Sequence, residues 1–178
     1  MIDEKLIDLC LQGDSNAQRA LYEHFSIQMF RICYRYVKNE NDAEDIMIEG
    51  FYKVFKNLSK FEYRGDKSLA AWMRKIMVNQ SLMFLRKNKN LILMPSEAAI
   101  HIPSGDFPDL QVESEEIYQM IGTMPVGYRT IFNLYVVEGY SHKEIAEKLS
   151  ISISTSKSQL SKAKGWMRKM LNQYGLAT

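Results

Sequence analysis

Ser141-His142-Lys143-Glu144-Ile145-Ala146-Glu147-Lys148-Leu149, then Ser150-Ile151-Ser152-Ile153, then Ser154-Thr155-Ser156-Lys157-Ser158-Gln159-Leu160, is the stretch that decides the fold. Ser141 opens it as a helix cap, and Glu144, three residues on, is the reciprocal partner of a capping box. Ile145, Ala146 and Leu149 fall at helical spacing and predict a short helix with one apolar side. The next four residues form a brief turn whose isoleucines can tuck inward. Ser154 reads as the cap of a second helix. Leu160, Ala163, Met167 and Leu171 point inward from it, and Thr155, Lys157, Ser158, Gln159 and Lys162 point outward. A short helix with a small residue at the crossing, a brief turn and a polar, basic second helix make a helix-turn-helix. Such a second helix enters the major groove N-terminus first. Ser152, Ser154, Thr155, Ser158 and Gln159 then come within reach of base edges, and Lys157 and Lys162 within reach of phosphates.

The charge distribution outward from this motif agrees. Residues 117–178 carry eight bases and three acids, and from Lys148 onward there are six bases and no acid. Residues 1–90 carry 15 bases against 12 acids, whereas residues 91–116 carry six acids and no base. Two basic segments flanking an acidic one suggest contact with nucleic acid. The acidic segment also holds Pro95, Pro103 and Pro108 and shows no sustained periodicity, so it reads as a flexible linker. As a random coil it would span about 28 Å, and fully extended about 85 Å.

Residues 3–90 read as helices throughout. Leu6, Leu9, Cys10, Ala17, Leu21 and Phe25 recur at helical spacing, with Asp14 as a cap between two helices. Met29, Ile32, Cys33, Tyr36 and Val37 continue the pattern. Asn41-Asp42-Ala43-Glu44-Asp45 then supplies a cap and a negative first turn for a helix carrying Ile46, Ile48, Phe51, Val54, Phe55 and Leu58. Asp42, Glu44, Asp45 and Glu49 crowd one end of that helix. Asp45 and Glu49, four residues apart, stand one above the other and repel. Such a pair complements the helix dipole on a solvated face, docks a basic protein, or holds a divalent metal. The metal reading is the weakest, because no second helix offers a comparable set of oxygen ligands.

Between positions 61 and 89 lie Phe61, Tyr63, Arg64, Lys67, Trp72, Arg74, Lys75, Asn79, Gln80, Arg86, Lys87 and Lys89. Bases interleaved with aromatic rings suit single-stranded nucleic acid, cations following phosphates while rings stack on unpaired bases. Trp72, on an apolar side, reads first as core. Tyr63, beside Arg64-Gly65 in a polar loop, is better placed to stack.

The 178 residues are 46% hydrophobic and 25% charged, ordinary for a globular chain of one domain or two small ones. A disordered tail, a collagen-like fibre and a coiled-coil rod are excluded. The apolar runs are too short to span a bilayer, and acids stand where a signal peptide needs bases, so a cytoplasmic location is expected. Cys10 and Cys33 make neither a disulfide framework nor a metal quartet and read as buried thiols. His24, His101 and His142 are scattered and receive no role.

Three groups of residues resemble the sigma-70 family of bacterial RNA polymerase sigma factors. Asp42 through Phe51 is similar to the family's core-binding helix. Arg64-Gly65 through Ser68-Leu69, with Trp72, Ile76, Asn79 and Leu85-Arg86, resembles its promoter-melting and −10-reading segment. Met124-Pro125, Tyr128-Arg129, Phe132, Glu138-Gly139, Ser141, Glu144-Ile145-Ala146, Leu149 and Ile151-Ser152 resemble its −35-reading domain. The short length resembles the extracytoplasmic-function (ECF) group. Met83 stands where many members have Asp, Ser150 where a turn glycine is usual, and Ser156 and Gln159 where Val and Arg are common.

The resemblance implies an all-α chain of two small helical domains joined by the acidic linker. Residues 1–90 would be a region 2-like bundle and residues 117–178 a region 4-like helix-turn-helix. Asp42, Asp45, Glu49 and Phe51 would bind core RNA polymerase. Tyr63, Arg64, Trp72, Arg74, Lys75, Asn79, Arg86 and Lys87 would engage −10 DNA. Ser152, Ser154, Thr155, Lys157, Ser158, Gln159 and Lys162 would engage the −35 element. The linker, residues 91–116, would imitate RNA in a positively charged channel of the polymerase. The implied partners are core polymerase, promoter DNA and an anti-sigma factor. The chain would be no enzyme and would need no cofactor and no metal. Two readings compete: a dimeric helix-turn-helix regulator with a helical sensor domain, and a metal-dependent nucleotide hydrolase with ligands from Asp42, Asp45 and Glu49.

Overall fold

The computed structural model describes residues 2–88 and 115–174, and the acidic segment expected to be a linker lies almost entirely outside them. The chain forms two compact units, Met1–Asn88 and Lys89–Thr178. Among the described residues every regular element is helical, as the spacing predicts.

In the first unit α1 (Glu4–Leu11), α2 (Ser15–Val37), α3 (Glu40–Asn57) and α4 (Asp66–Lys87) follow in order, with a single 3₁₀ turn after α3. Short polar side chains start three of them. Asp3 accepts from the Leu6 N–H, Asp14 from that of Ala17 and Asn39 from that of Asp42. The cap of α3 is therefore Asn39 rather than Asn41, so the acidic residues begin inside the helix. α2, α3 and α4 pack against one another, and α1 lies on α2. Leu21, Met29, Cys33 and Tyr36 of α2 meet Ala43, Ile46, Phe51 and Val54 of α3 and Leu69, Met73, Met77 and Leu85 of α4 in one buried core. α3 and α4 approach closely at Gly50, where a β-carbon would overlap the Met77 thioether. Burial holds the Cys33 thiol up at about 12, so it stays a protonated core residue.

Two expectations for this unit change. Ile48, counted among the apolar series of α3, is 58% exposed. Phe51, expected to touch a partner, is 3% exposed and packs on the rings of Tyr22 and Phe55. The helical period explains both, because Phe51 shares its side with Met47 and Val54 while Ile48 falls on the far side.

The second unit runs α5 (Glu115–Gly122), α6 (Val126–Phe132), a π-helical turn (Asn133–Val137), α7 (His142–Leu149) and α8 (Ile153–Gln173). α5 begins two residues before the boundary expected from composition. α6, α7 and α5 all pack on α8. Ile121, Ile131, Phe132 and Leu134 close over Ile145, Leu149, Leu160, Ala163, Met167 and Leu171. Arg129 is buried, and its guanidinium donates to the carbonyls of Met124 (3.0 Å) and Gly122 (3.4 Å), tying the end of α5 to α6.

The helix-turn-helix is α7, the turn 150–152 and α8. The capping box forms as the spacing predicts. The Ser141 hydroxyl accepts from the Glu144 N–H at 3.3 Å, and the Glu144 carboxylate accepts from the Ser141 N–H at 2.8 Å. α7 ends at Ser150 in the left-handed region, φ 55°, where the usual glycine would carry no β-carbon penalty. α8 starts at a different cap from the one expected. Ser152, not Ser154, accepts from the Thr155 N–H at 2.9 Å.

Replacing Ser150 by Gly is expected to stabilise this unit by about 0.5–1 kcal/mol, relief of the left-handed strain exceeding glycine's extra unfolded entropy. Urea unfolding followed by Trp166 fluorescence in a Trp72→Phe background reads this unit alone. A midpoint unchanged or lowered by Ser150→Gly would contradict the strain.

Candidate nucleic-acid interface

On α8 the buried stripe runs Ser156, Leu160, Ala163, Met167 and Leu171, and the opposite side presents Ser154, Ser158, Ser161 and Lys162, with Lys157 at its edge. Lys157 and Ser154 are exposed, and Thr155, Ser158, Ser161 and Lys162 are half-buried. The Ser152 hydroxyl, besides capping, lies 2.7 Å from that of Ser154 and 2.8 Å from that of Thr155. The Ser158 hydroxyl donates to the Thr155 carbonyl. The N-terminal turns therefore carry a cluster of small hydroxyls flanked by lysines, suited to a groove lined by hydrogen-bonding base edges and phosphates.

Gln159 does not belong to that surface. It is 2% exposed, although the spacing places it outward. Its position three after Ser156 and four before Ala163 puts it at the rim of the buried stripe, and its long chain tucks inward. Ser161 takes a place on the open side that the sequence reading did not assign.

His142 lies behind the same turns. Its ring stacks on Tyr135, centroids 4.6 Å apart, and its Nδ1 is 2.9 Å from the Ser156 Oγ. Burial, and then Lys157 and Lys164 of α8, hold the imidazole below its ordinary value. At the same end of α7 the Ser141 hydroxyl and N–H hold the Glu144 carboxyl below the usual carboxylate range.

In the first unit, the loop before α4 is built from local hydrogen bonds. The Ser68 hydroxyl donates to the Gly65 carbonyl at 2.7 Å and accepts from the Arg64 N–H at 3.1 Å. The Tyr63 hydroxyl donates to the Ile2 carbonyl at 2.8 Å, so the N-terminal segment fixes the pose of this half-buried ring. The Arg64 guanidinium pairs with Glu62 at 2.7 Å, both side chains more than three-quarters exposed, a contact of little strength in water. Trp72 is half-buried with its ring 5.0 Å from that of Phe61. Its role therefore combines packing with a partly open aromatic face. Along α4, Lys75, Asn79, Met83 and Arg86 recur at intervals of three and four, with Lys87 beside them, and all are exposed. Arg74 is half-buried, and Gln80, counted in the same basic and aromatic stretch, is buried at 9%. Met83, 54% exposed, brings an apolar side chain into the middle of this cationic stripe.

The acidic face of α3 is distinct from that stripe. Asp45, Ile48, Glu49 and Tyr52 line a shallow open depression. Ile48 and Tyr52 are 58% and 63% exposed. Asp42 is half-buried at the start of the helix. Two carboxylates interleaved with an isoleucine and a tyrosine ring have the chemistry to suit a basic, partly apolar partner. Among the described residues no group of three or more His, Cys, Asp or Glu is placed to hold a metal ion. No described helix is long and apolar enough to cross a membrane.

Family models match both units. The sigma-70 region 2 model covers residues 21–91, and the sigma-70 region 4 model covers residues 114–167. The ECF RNA polymerase sigma factor SigW of Bacillus subtilis is 27% identical, over 96% of this chain and 97% of that protein. The ECF RNA polymerase sigma-E factor of Haemophilus influenzae is 25% identical, over 92% of each. A solved structure of the sigma factor RpoE in complex with the anti-sigma factor NepR from Bartonella quintana aligns over 86% of this chain and 98% of that one. Its identity is 20% and its TM-score 0.49.

The setting of His142 gives a pH dependence with a definite sign. Its folded-state value lies below that of the unfolded chain, near 6.5. The stability it contributes is therefore fully present above about pH 6.5 and is lost as pH falls through the folded value. Urea unfolding at pH 7.5 and 5.5, read at Trp166, should show a larger loss for the wild type than for His142→Asn. Equal losses would remove His142 as the cause.

Proposed function

Since the chain belongs to the sigma-70 family, in its extracytoplasmic-function group, we propose how its surfaces divide the work of such a factor. The protein is a transcription initiation factor: it binds core RNA polymerase and directs it to specific promoters by reading −10 and −35 elements and assisting melting. It is not an enzyme. Binding energy for unstacked bases, rather than any covalent step, shifts promoter DNA toward the open state. The observation that carries this is the occurrence of both promoter-reading regions, in order, on the two compact units of one short chain.

Residues 1–90 act as the core-binding and −10 domain. Asp45 and Glu49, with Ile48 and Tyr52 between them and Asp42 at the helix start, take a basic surface of the polymerase. That partner relieves the repulsion between the two carboxylates. Phe51 supports this face from within. Tyr63 and Arg64 line a pocket for an unpaired base, with Asn79 nearby, and the rigid loop around Ser68 lowers the entropy cost of capture. Trp72 backs the pocket, and Arg74, Lys75, Arg86 and Lys87 hold phosphates. Residues 117–178 act as the −35 domain. Ser152, Ser154, Thr155 and Ser158 reach base edges, joined by Ser161, while Lys157 and Lys162 hold phosphates and Gln159 belongs to the packing behind them. The acidic segment 91–116 threads the polymerase channel that later holds RNA. The site of action is the cytoplasm, and an anti-sigma factor is the expected regulator.

Run-off transcription with core polymerase on a promoter pool tests the reading. The chain should produce specific transcripts, and the double change Asp45→Lys, Glu49→Lys should reduce them at least about tenfold by reversing the charge that meets the partner. No stimulation, together with tight promoter binding by the chain alone, would favour a stand-alone regulator. On −35 DNA, Lys157→Ala and Lys162→Ala should each lower the dependence of log affinity on log salt by about one, with weakening spread evenly over sequences. An unchanged slope would take those lysines off the phosphates.

A further inference from the structure

The promoter-reading surface rests on a polar contact that none of the surface residues makes. His142 is the first residue of α7, directly after the Ser141 cap. Its ring lies against Tyr135 of the π-helical turn at 4.6 Å with planes 27° apart, and its Nδ1 meets the Ser156 Oγ at 2.9 Å. Three consecutive elements of the domain therefore meet at one imidazole. Ser156 has no exposed surface, and a hydroxyl so buried requires a partner. His142 supplies that partner through its Nδ1.

Ser156 sits in the first turns of α8, flanked by Thr155 on one side and Lys157 and Ser158 on the other. Any rotation of α8 about its axis that breaks the bond to His142 also moves those three side chains. The Ser152 cap sets where the helix begins, the Ile151 N–H donated to the Ala146 carbonyl ties the turn to α7, and the apolar stripe from Leu160 onward holds the later turns. The bond between His142 and Ser156 ties the first turns of α8 itself sideways to α7.

We propose that His142 is a positioning residue for −35 recognition, its ring clamped between Tyr135 and Ser156 so that α8 presents Thr155, Lys157 and Ser158 in one rotation to the groove. This rests on the reading of residues 117–178 as the −35 domain. Its effect is on discrimination, because a misrotated helix still attracts phosphates through its lysines while losing alignment with base edges.

The test uses holoenzyme assembled from core polymerase and the full chain, on promoters selected by the wild type from a library randomised in the −35 region. The readout is the ratio of transcription from intact and scrambled −35 elements. His142→Ala and Ser156→Ala should each lower that ratio about 3- to 10-fold, and the double variant should fall no further than the worse single one. His142→Asn, which offers a polar atom where Nδ1 stood, should restore the ratio to within about twofold. Should His142→Ala lose helical circular dichroism, Ser156→Ala carries the test, since it removes the hydroxyl with little change of volume: a lowered ratio supports the clamp and a wild-type ratio overturns it. Additive losses, or an unchanged ratio in a folded His142→Ala chain, overturn the positioning role alone. A wild type that shows no preference for any −35 sequence overturns the domain reading beneath it.

Discussion

Helix capping is the interaction on which the rest of this structure depends. α1, α5 and α7 are each eight residues long, below the length at which a helix persists alone in water. Asp3, Asp14, Asn39, Ser141 and Ser152 take up first-turn N–H groups that would otherwise be left unsatisfied, and they fix the residue at which each helix begins. The starting residue sets the end from which each apolar stripe is presented. A helix entered two residues early carries two more side chains into its first turn. Ser152 rather than Ser154 at the cap therefore makes Ile153 and Ser154 part of the helix, not loop.

Once the stripes are committed, the opposite faces are left for partners. On α3 the consequence is Asp45 and Glu49 beside exposed Ile48 and Tyr52 around one open depression. On α4 it is a cationic stripe interrupted by Met83, and on α8 a cluster of hydroxyls between lysines. The acidic and basic faces lie on different helices of the same unit, which leaves room in the proposed division of labour for a protein on one and a nucleic acid on the other. That division is what a promoter-selecting subunit requires. It must stay on the polymerase while its other surfaces exchange double-stranded for unpaired DNA.

Much of the architecture was legible in the amino-acid order. The capping box at Ser141 and Glu144, the inward set Leu160, Ala163, Met167 and Leu171, and the cap at Asp14 all depend on interactions within four residues, which spacing reports directly. Misplacements arose where several side chains compete for one role. Asn39 and Asn41 can both cap α3, and Ser152 and Ser154 can both cap α8. Phe51 belongs to the apolar series of its helix, while the family resemblance alone points it at a partner, and Gln159 reads outward as a polar chain on a basic helix. Helical phase keeps Phe51 inside and draws Gln159 in as well, since position on the helix outweighs side-chain type when the flanking residues are buried.

The sequence by itself determined the all-helical class, the two-unit division and the helix-turn-helix, because these follow from local periodicity, capping and charge segregation, and its motifs carried the resemblance to the family. Only the tertiary structure decided that His142 meets Ser156 and Tyr135, that Tyr63 is held by the Ile2 carbonyl, and that Ile48 and Tyr52 complete the acidic face. The Tyr63 contact spans 61 positions and the Ser156 contact 14. The exposure of Ile48 depends on which side of α3 its neighbours cover. Contacts of this kind are selected by packing of several elements at once, and no pattern within a single helix encodes them.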